Sequence, residues 1–288
     1  MTRNAKAAGA GLLAAALTLF NLGDTFVKLL AERLPVAQVI CVRNLISGIA
    51  VLLVWTARPE LARVPHLLDR GVLARAALDT ATTLLYLQGV ALLPLAEAAT
   101  LLFVSPLLGT ALAGPVLGER VGTARWLAVG IGFMGVVLVV QPGSVGWRPA
   151  TLLPLAAAFL MTAADMVTRR IHPSIGSVTV VTANVFAVAL AAAIWASLSW
   201  QPLTPAELPP LTAAALFLLA GYLCYVGAFR VAEVSFLVPF KYAGLPAAAL
   251  LGWLVWGHVP NALALLGTAL IVGSGVFVLA AEHSRAPG

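Results

Sequence analysis

Charge is what this sequence has least of. Charged residues make up 10 % of the 288, hydrophobic residues 61 %, and the mean hydropathy is +1.00. A soluble domain carries about 25 % charged residues, so this shortage argues against a water-soluble globular fold and points to lipid as the solvent. Cysteine is nearly missing as well. Cys41 and Cys224 each fall inside an apolar run, where single thiols pack as small apolar groups and make no disulfide framework. The four histidines, His66, His172, His258 and His283, all lie in loops or the tail, which leaves no buried His metal site and no intramembrane Ser–His protease. There is no Walker A sequence, and so no sign of a nucleotide-hydrolysing site. Long polar connections are absent too: the longest, near 57–70, has about 14 residues, too few to fold a soluble catalytic module.

What is present is length of apolar chain. Ten runs of roughly the 20 residues that span a bilayer core as a helix occur near 8–30, 36–56, 71–93, 96–117, 124–141, 150–169, 177–199, 211–232, 235–256 and 261–281. The opening run follows Arg3 and Lys6 as a signal peptide would. Its length, and Asp24 and Lys28 near its far end, read as a first span instead. The +6 net charge finds its explanation in placement rather than in a nucleic-acid partner. Of 17 Lys and Arg residues, twelve fall on one side when alternate loops are grouped, two (Arg33 and Arg148) on the other, and three (Lys28, Arg43 and Lys241) within spans. Positive charge in short loops marks the cytoplasmic face. The expectation is therefore a multi-pass protein of a bacterial inner membrane with both termini in the cytoplasm. Trp55, Trp126, Trp195, Trp200 and Trp256 near span ends suit the interface. Gly130-x-Gly132-x-x-Gly135 has the spacing of a dinucleotide fingerprint but sits within an apolar span, where small residues serve helix packing.

The halves resemble each other at an offset near 140. Gly23-Asp24-x3-Lys28 matches Ala164-Asp165-x3-Arg169, and Asn44 falls at Asn184. Pro106 falls at Pro246, and Gly135-Val136 at Gly275-Val276. The expected domains are thus five-helix repeats at 1–142 and 143–288. Five being odd, the second starts on the opposite side of the membrane and is inverted, an arrangement that recurs in secondary transporters with substrate bound near mid-membrane.

A charge at the bilayer centre costs about 2.5–3.5 kcal/mol on insertion scales, so each needs a partner or a wet cavity. Asp24 with Lys28, Arg75 with Asp79, and Asp165 with Arg169 stand at helical i, i+4 spacing and read as structural ion pairs. Asp79 reaches furthest into its span. Arg43 has no such partner nearby: it bonds carbonyls at a packing site, pairs with an acid on another span, or meets substrate. Lys241, beside Tyr242, either snorkels to the cytoplasmic surface or presents a cation to a substrate carboxylate. Asn44, Asn184, Tyr86, Tyr222 and Tyr225 are candidate cavity lining, with helix packing as the alternative. Pro106 and Pro246 are candidate hinges.

These features resemble the drug/metabolite transporter superfamily, in its branch of two EamA-type repeats. The resemblance covers essentially the whole chain. Beyond span count and duplication, it rests on Lys28, Pro35 and Arg43 across spans 1–2, and on Pro106, Gly118-Glu119 and Gly135-Val136. In the second repeat it rests on Pro239-Phe240-Lys241-Tyr242, Pro246 and Gly275-Val276, with His258 standing where a second acid would mirror Glu119. It implies an all-α basket around a central cavity, working by alternating access, and export of amino acids, aromatic or neutral, and related metabolites. Lys241 or Arg43 would meet the carboxylate and Tyr or Phe rings the apolar group. The partners implied are a small-molecule substrate and the bilayer, with no nucleic acid, nucleotide, cofactor or metal, and one two-repeat chain suffices for a pathway. The competing readings are export of another organic solute such as a nucleoside or drug, with Asp79 facing a cation, and, from another class, a non-transporting membrane subunit or membrane-embedded enzyme.

Overall fold

Nearly every helix is apolar on all sides, so its outward face cannot be meant for water. The computed structural model describes residues 3–57, 64–117, 123–144, 147–168, 171–172, 175, 177–231 and 238–283; the remaining positions and a few side chains within the helices lie outside this description. Helices run in the order α1 (Arg3–Ala31), α2 (Val36–Ala57), α3 (Arg70–Leu92), α4 (Leu95–Leu102), α5 (Ser105–Leu117) and α6 (Thr123–Val140). There follow α7 (Leu152–Thr168), α8 (Ser177–Ala196), α9 (Leu208–Val231), α10 (Gly244–Trp256) and α11 (Ala262–His283). Short 3-10 turns at Val64–Leu68, Pro149–Thr151, Pro205–Glu207 and Val238–Ala243 lead into α3, α7, α9 and α10, and no strand occurs among the described residues. Among the described residues, six stretches are long and apolar enough to cross a membrane, beginning with Ala7–Ala31 and Val36–Leu53. Trp126–Val140 and Ala262–Phe277 are apolar but shorter.

The burial pattern is that of a protein in lipid. Gln38 and Ser47 have no exposed surface, whereas Leu127 and Ile194 expose 65 % and 66 %. Water would reverse that order. The interior is assembled from α1, α2, α3, α8 and α9 around Val27, Ile40, Leu87, Val188 and Leu211, and from α5, α6, α7 and α11 around Leu107, Val136, Ala158 and Ile271. Local signals set several ends. The Asp69 carboxylate accepts from the N–H groups of Gly71 and Val72 and caps α3. Gly257, at φ +67°, closes α10 in the left-handed conformation that glycine tolerates best.

The run expected as one helix over 96–117 is broken, and Pro106 gives the reason. A proline ring displaces the carbonyl four residues earlier, here Leu102, where α4 stops. The Thr162 hydroxyl donates to the Ser105 carbonyl at 3.1 Å, tying α7 to the start of α5 just past the break. Pro246 stands in the same relation to Tyr242, and there the chain passes from the 3-10 turn into α10. The Asn21 amide donates to the Gly244 carbonyl at 2.9 Å. The two breaks touch: the rings of Phe103 and Tyr242 lie 5.6 Å apart.

Gly132 and Gly135, two glycines of the fingerprint-like motif, serve packing. A Cβ at Gly135 would stand 2.6 Å from the Gly267 carbonyl oxygen, so α6 and α11 meet backbone to backbone.

Candidate functional site

Three helices bring their polar residues to one buried place. Asp24 of α1 faces Arg43 of α2, with Nη1 3.9 Å from Oδ1. The Tyr86 hydroxyl, on α3, donates to the other carboxylate oxygen at 3.2 Å. The Asp24 and Arg43 side chains are 14 % and 5 % exposed. Arg43 Nε is buried and has no hydrogen-bond partner among the described residues. Tyr222 of α9 lies within electrostatic reach of Arg43 and Asp79 and packs edge-on against Phe20, centroids 5.4 Å apart. Phe20 precedes Asp24 by four residues and so shares its face of α1. It also touches Tyr225 at 6.3 Å, over whose ring the Lys241 ammonium sits at 5.9 Å.

One expected ion pair does not form. Lys28 turns from Asp24 to the end of α3, donating to the carbonyls of Val90 at 2.8 Å and Leu93 at 2.6 Å, with the Trp256 ring 5.3 Å away. The physical reason is supply: the last carbonyls of a helix lack intrahelical donors and attract cations, while Asp24 already has Arg43. This frees Asp24 from the structural role that its spacing suggested.

Arg75 forms the second charged group. Its Nε lies 3.0 Å from Asp79 Oδ2, as the spacing predicts, and its Nη1 lies 3.7 Å from Asp165 Oδ1. The same nitrogen donates to the Ala164 carbonyl and the Thr168 hydroxyl, tying α3 to the end of α7. Arg169, the expected partner of Asp165, lies outside the described residues, as do Gly118 and Glu119. Asn44 bonds its own helix at the Ile40 carbonyl. The Asn184 carbonyl oxygen and the Tyr242 hydroxyl are buried without partners among the described residues, and Tyr242 packs directly onto Gly275.

Sequence reading thus missed Phe20, which bridges two tyrosines, and Asn21, which reaches the second break. Helical spacing from Asp24 is the signal that would have found both. It also missed Gln38, whose amide exchanges two hydrogen bonds with the Gln201 backbone. Two grooves, of about 430 and 350 Å3, lie between α3 and α8 and between α6 and α11. Their linings are almost wholly apolar and include none of the residues expected to form a site. Among the described residues, no group of three or more His, Cys, Asp or Glu is placed to hold a metal ion.

Apolar helices enclosing paired charges define a multi-pass membrane protein with a polar centre. The chain belongs to the EamA-like transporter family, whose pattern matches residues 7–141. It is 33 % identical over 224 residues to a riboflavin transporter of Rhizobium johnstonii, covering 76 % of this chain and 71 % of that one. It is 28 % identical to a pseudopaline exporter of Pseudomonas aeruginosa (88 % and 89 % covered), and 22 % identical to an S-adenosylmethionine uptake transporter of Rickettsia prowazekii (91 % and 89 %). A solved crystal structure superposes on 99 % of this chain and 100 % of its own with a TM-score of 0.65 at 21 % identity, which shows a common fold.

Proposed function

We propose that the protein is a secondary transporter that carries a small polar metabolite bearing an aromatic ring, by alternating access between two inverted five-helix repeats at 1–142 and 143–288. The observation that carries this reading is the buried Asp24–Arg43–Tyr86 group facing Tyr222. Charges at membrane depth are expensive and are kept where solutes or ions pass. The helix contacts support the repeats. Contacts of α1 with α9 are mirrored by those of α3 with α7, while α2 with α8 and α6 with α11 pair each helix with its own counterpart. The matched breaks before Pro106 and Pro246 are the hinges in this scheme. The grouping of Lys and Arg supports ten spans and cytoplasmic termini, in a bacterial inner membrane.

The riboflavin transporters among the relatives make a flavin the first substrate to try. Lys241 above the Tyr225 ring favours a second candidate, an aromatic amino acid whose carboxylate meets the ammonium. Uptake by liposomes holding the purified chain, against a labelled panel led by riboflavin, phenylalanine and tryptophan, tests both. Saturable uptake of one, competed by its own class, supports a carrier and names the class. Amino-acid uptake without flavin uptake leaves the second reading standing. Silence across a broad panel from folded protein overturns the carrier reading in favour of a subunit or membrane-embedded enzyme.

A further inference from the structure

Asp24 and Arg43 are close enough to cancel each other's charge and too far apart to use up each other's bonds. At 3.9 Å, Nη1 and Oδ1 are beyond hydrogen-bond length. Among the described residues the Asp24 carboxylate receives one hydrogen bond, from Tyr86. Arg43 Nε, although buried, has no acceptor among the described residues. A buried donor on a charged group left unfilled is destabilising, because its desolvation is not offset. The structure therefore holds an acceptor and a donor, side by side, each with unused capacity.

We propose that this pair recognises the uncharged edge of a flat ring in which an N–H stands beside a carbonyl, as in a lactam or imide. Asp24 accepts from the N–H and Arg43 donates to the carbonyl. The charge balance selects the edge. Carboxylate and guanidinium sum to zero, and the nearby phenols of Tyr86 and Tyr222 add no charge. A substrate carboxylate or phosphate would stand unneutralised beside Asp24, and a cation beside Arg43, where low dielectric magnifies either repulsion. A neutral donor–acceptor edge satisfies both groups without adding charge. Beside the pair, Phe20, one turn before Asp24, and Tyr222 pack edge-on with centroids 5.4 Å apart, and they supply aromatic rings of the kind against which flat rings pack. This inference rests on the carrier reading above and names the part of the substrate that the polar group reads.

The test uses the full chain in liposomes and compares riboflavin, whose ring imide carries N–H between two carbonyls, with N3-methylriboflavin, which keeps the shape and loses the donor. Tryptophan serves as the zwitterion. The expected result is riboflavin uptake at least tenfold above N3-methylriboflavin and above tryptophan. In the charge-balanced double variant Asp24→Asn with Arg43→Gln, the preference for riboflavin over its methyl derivative is expected to fall to within threefold. Should that variant fail to fold, judged by its elution and melting, the comparison on the unaltered chain decides. Equal uptake of the two flavins, or preference for tryptophan, overturns this inference and leaves the carrier reading intact. No uptake of any solute by folded protein removes the carrier reading and this inference with it.

Discussion

Lys28 and Leu93 are joined at 2.6 Å, from the ammonium on α1 to the carbonyl just past the end of α3. The same ammonium holds Val90 at 2.8 Å, and Arg148 reaches the intervening Leu92 carbonyl at 3.4 Å. The end of α3 is thus closed by cations, at the turn where the chain reverses into the broken α4–α5 pair. Trp256, beside Lys28, donates to Glu32 at 2.8 Å, so α10 is drawn to the same corner. α1 is therefore a strut at this end, and only a turn earlier, at Asp24, does it face the polar group.

Replacing Lys28 by Met keeps the apolar stem and deletes both strong bonds. Hydrogen bonds to charged groups contribute about 1.5–3 kcal/mol, so the variant should melt several degrees lower in mild detergent. A melting temperature equal to that of the unaltered chain would show that the carbonyls find other donors and that the strut is dispensable.

Tyr86→Phe removes the one hydrogen bond described to the Asp24 carboxylate and leaves the ring in place. If Asp24 binds substrate, its loosened orientation should raise KM about tenfold, the equivalent of ~1.4 kcal/mol, with little change in melting. An unchanged KM would place Asp24 outside the transport path.

Gly267 and Gly273, both on α11, give a matched pair for packing. A Cβ at Gly267 would stand 2.5 Å from the Gly135 carbonyl oxygen, whereas a Cβ at Gly273 meets nothing within 4 Å. Gly267→Ala should therefore destabilise by about 1–3 kcal/mol through overpacking. Gly273→Ala should be neutral or slightly stabilising, as alanine is in a helix interior. Equal melting of the two would mean that α6 and α11 are not held at this distance in the membrane.

Pro106→Ala restores a backbone N–H and removes the ring that displaces the Leu102 carbonyl. α4 and α5 should then tend towards one continuous helix, raising thermal stability and slowing transport severalfold. Rates of substrate exchange across liposomes, measured beside the melting curve, check this. Faster or unaltered transport would argue that the break at Phe103–Val104 is not a hinge.

Much of this architecture was legible because lipid imposes a simple rule. A segment in hydrocarbon must satisfy its backbone internally, so apolar runs become helices, and those read at 36–56 and 71–93 are Val36–Ala57 and Arg70–Leu92. The prolines were legible for a similar reason, since the steric effect of the ring does not depend on distant partners. Pairings of charges were another matter. The i, i+4 rule held for Arg75 with Asp79 and failed for Asp24 with Lys28, because it counts neighbours along one helix and nothing across to the next. Arg43 has no acid at helical spacing and, of the alternatives open to it, takes the acid on another helix, Asp24 of α1.

By itself, then, the sequence determined the solvent, the helices and the places where they break, all of which follow from local composition and covalent geometry. Tertiary structure alone decided which helix supplies each buried charge with its counter-charge. It sent Lys28 to the carbonyls of α3, joined Asp24 to Arg43 and Tyr86, and set Phe20 between Tyr222 and Tyr225. Such choices are made by helix packing over tens of residues of separation, where the nearest unsatisfied group in space, rather than the nearest in sequence, takes the charge.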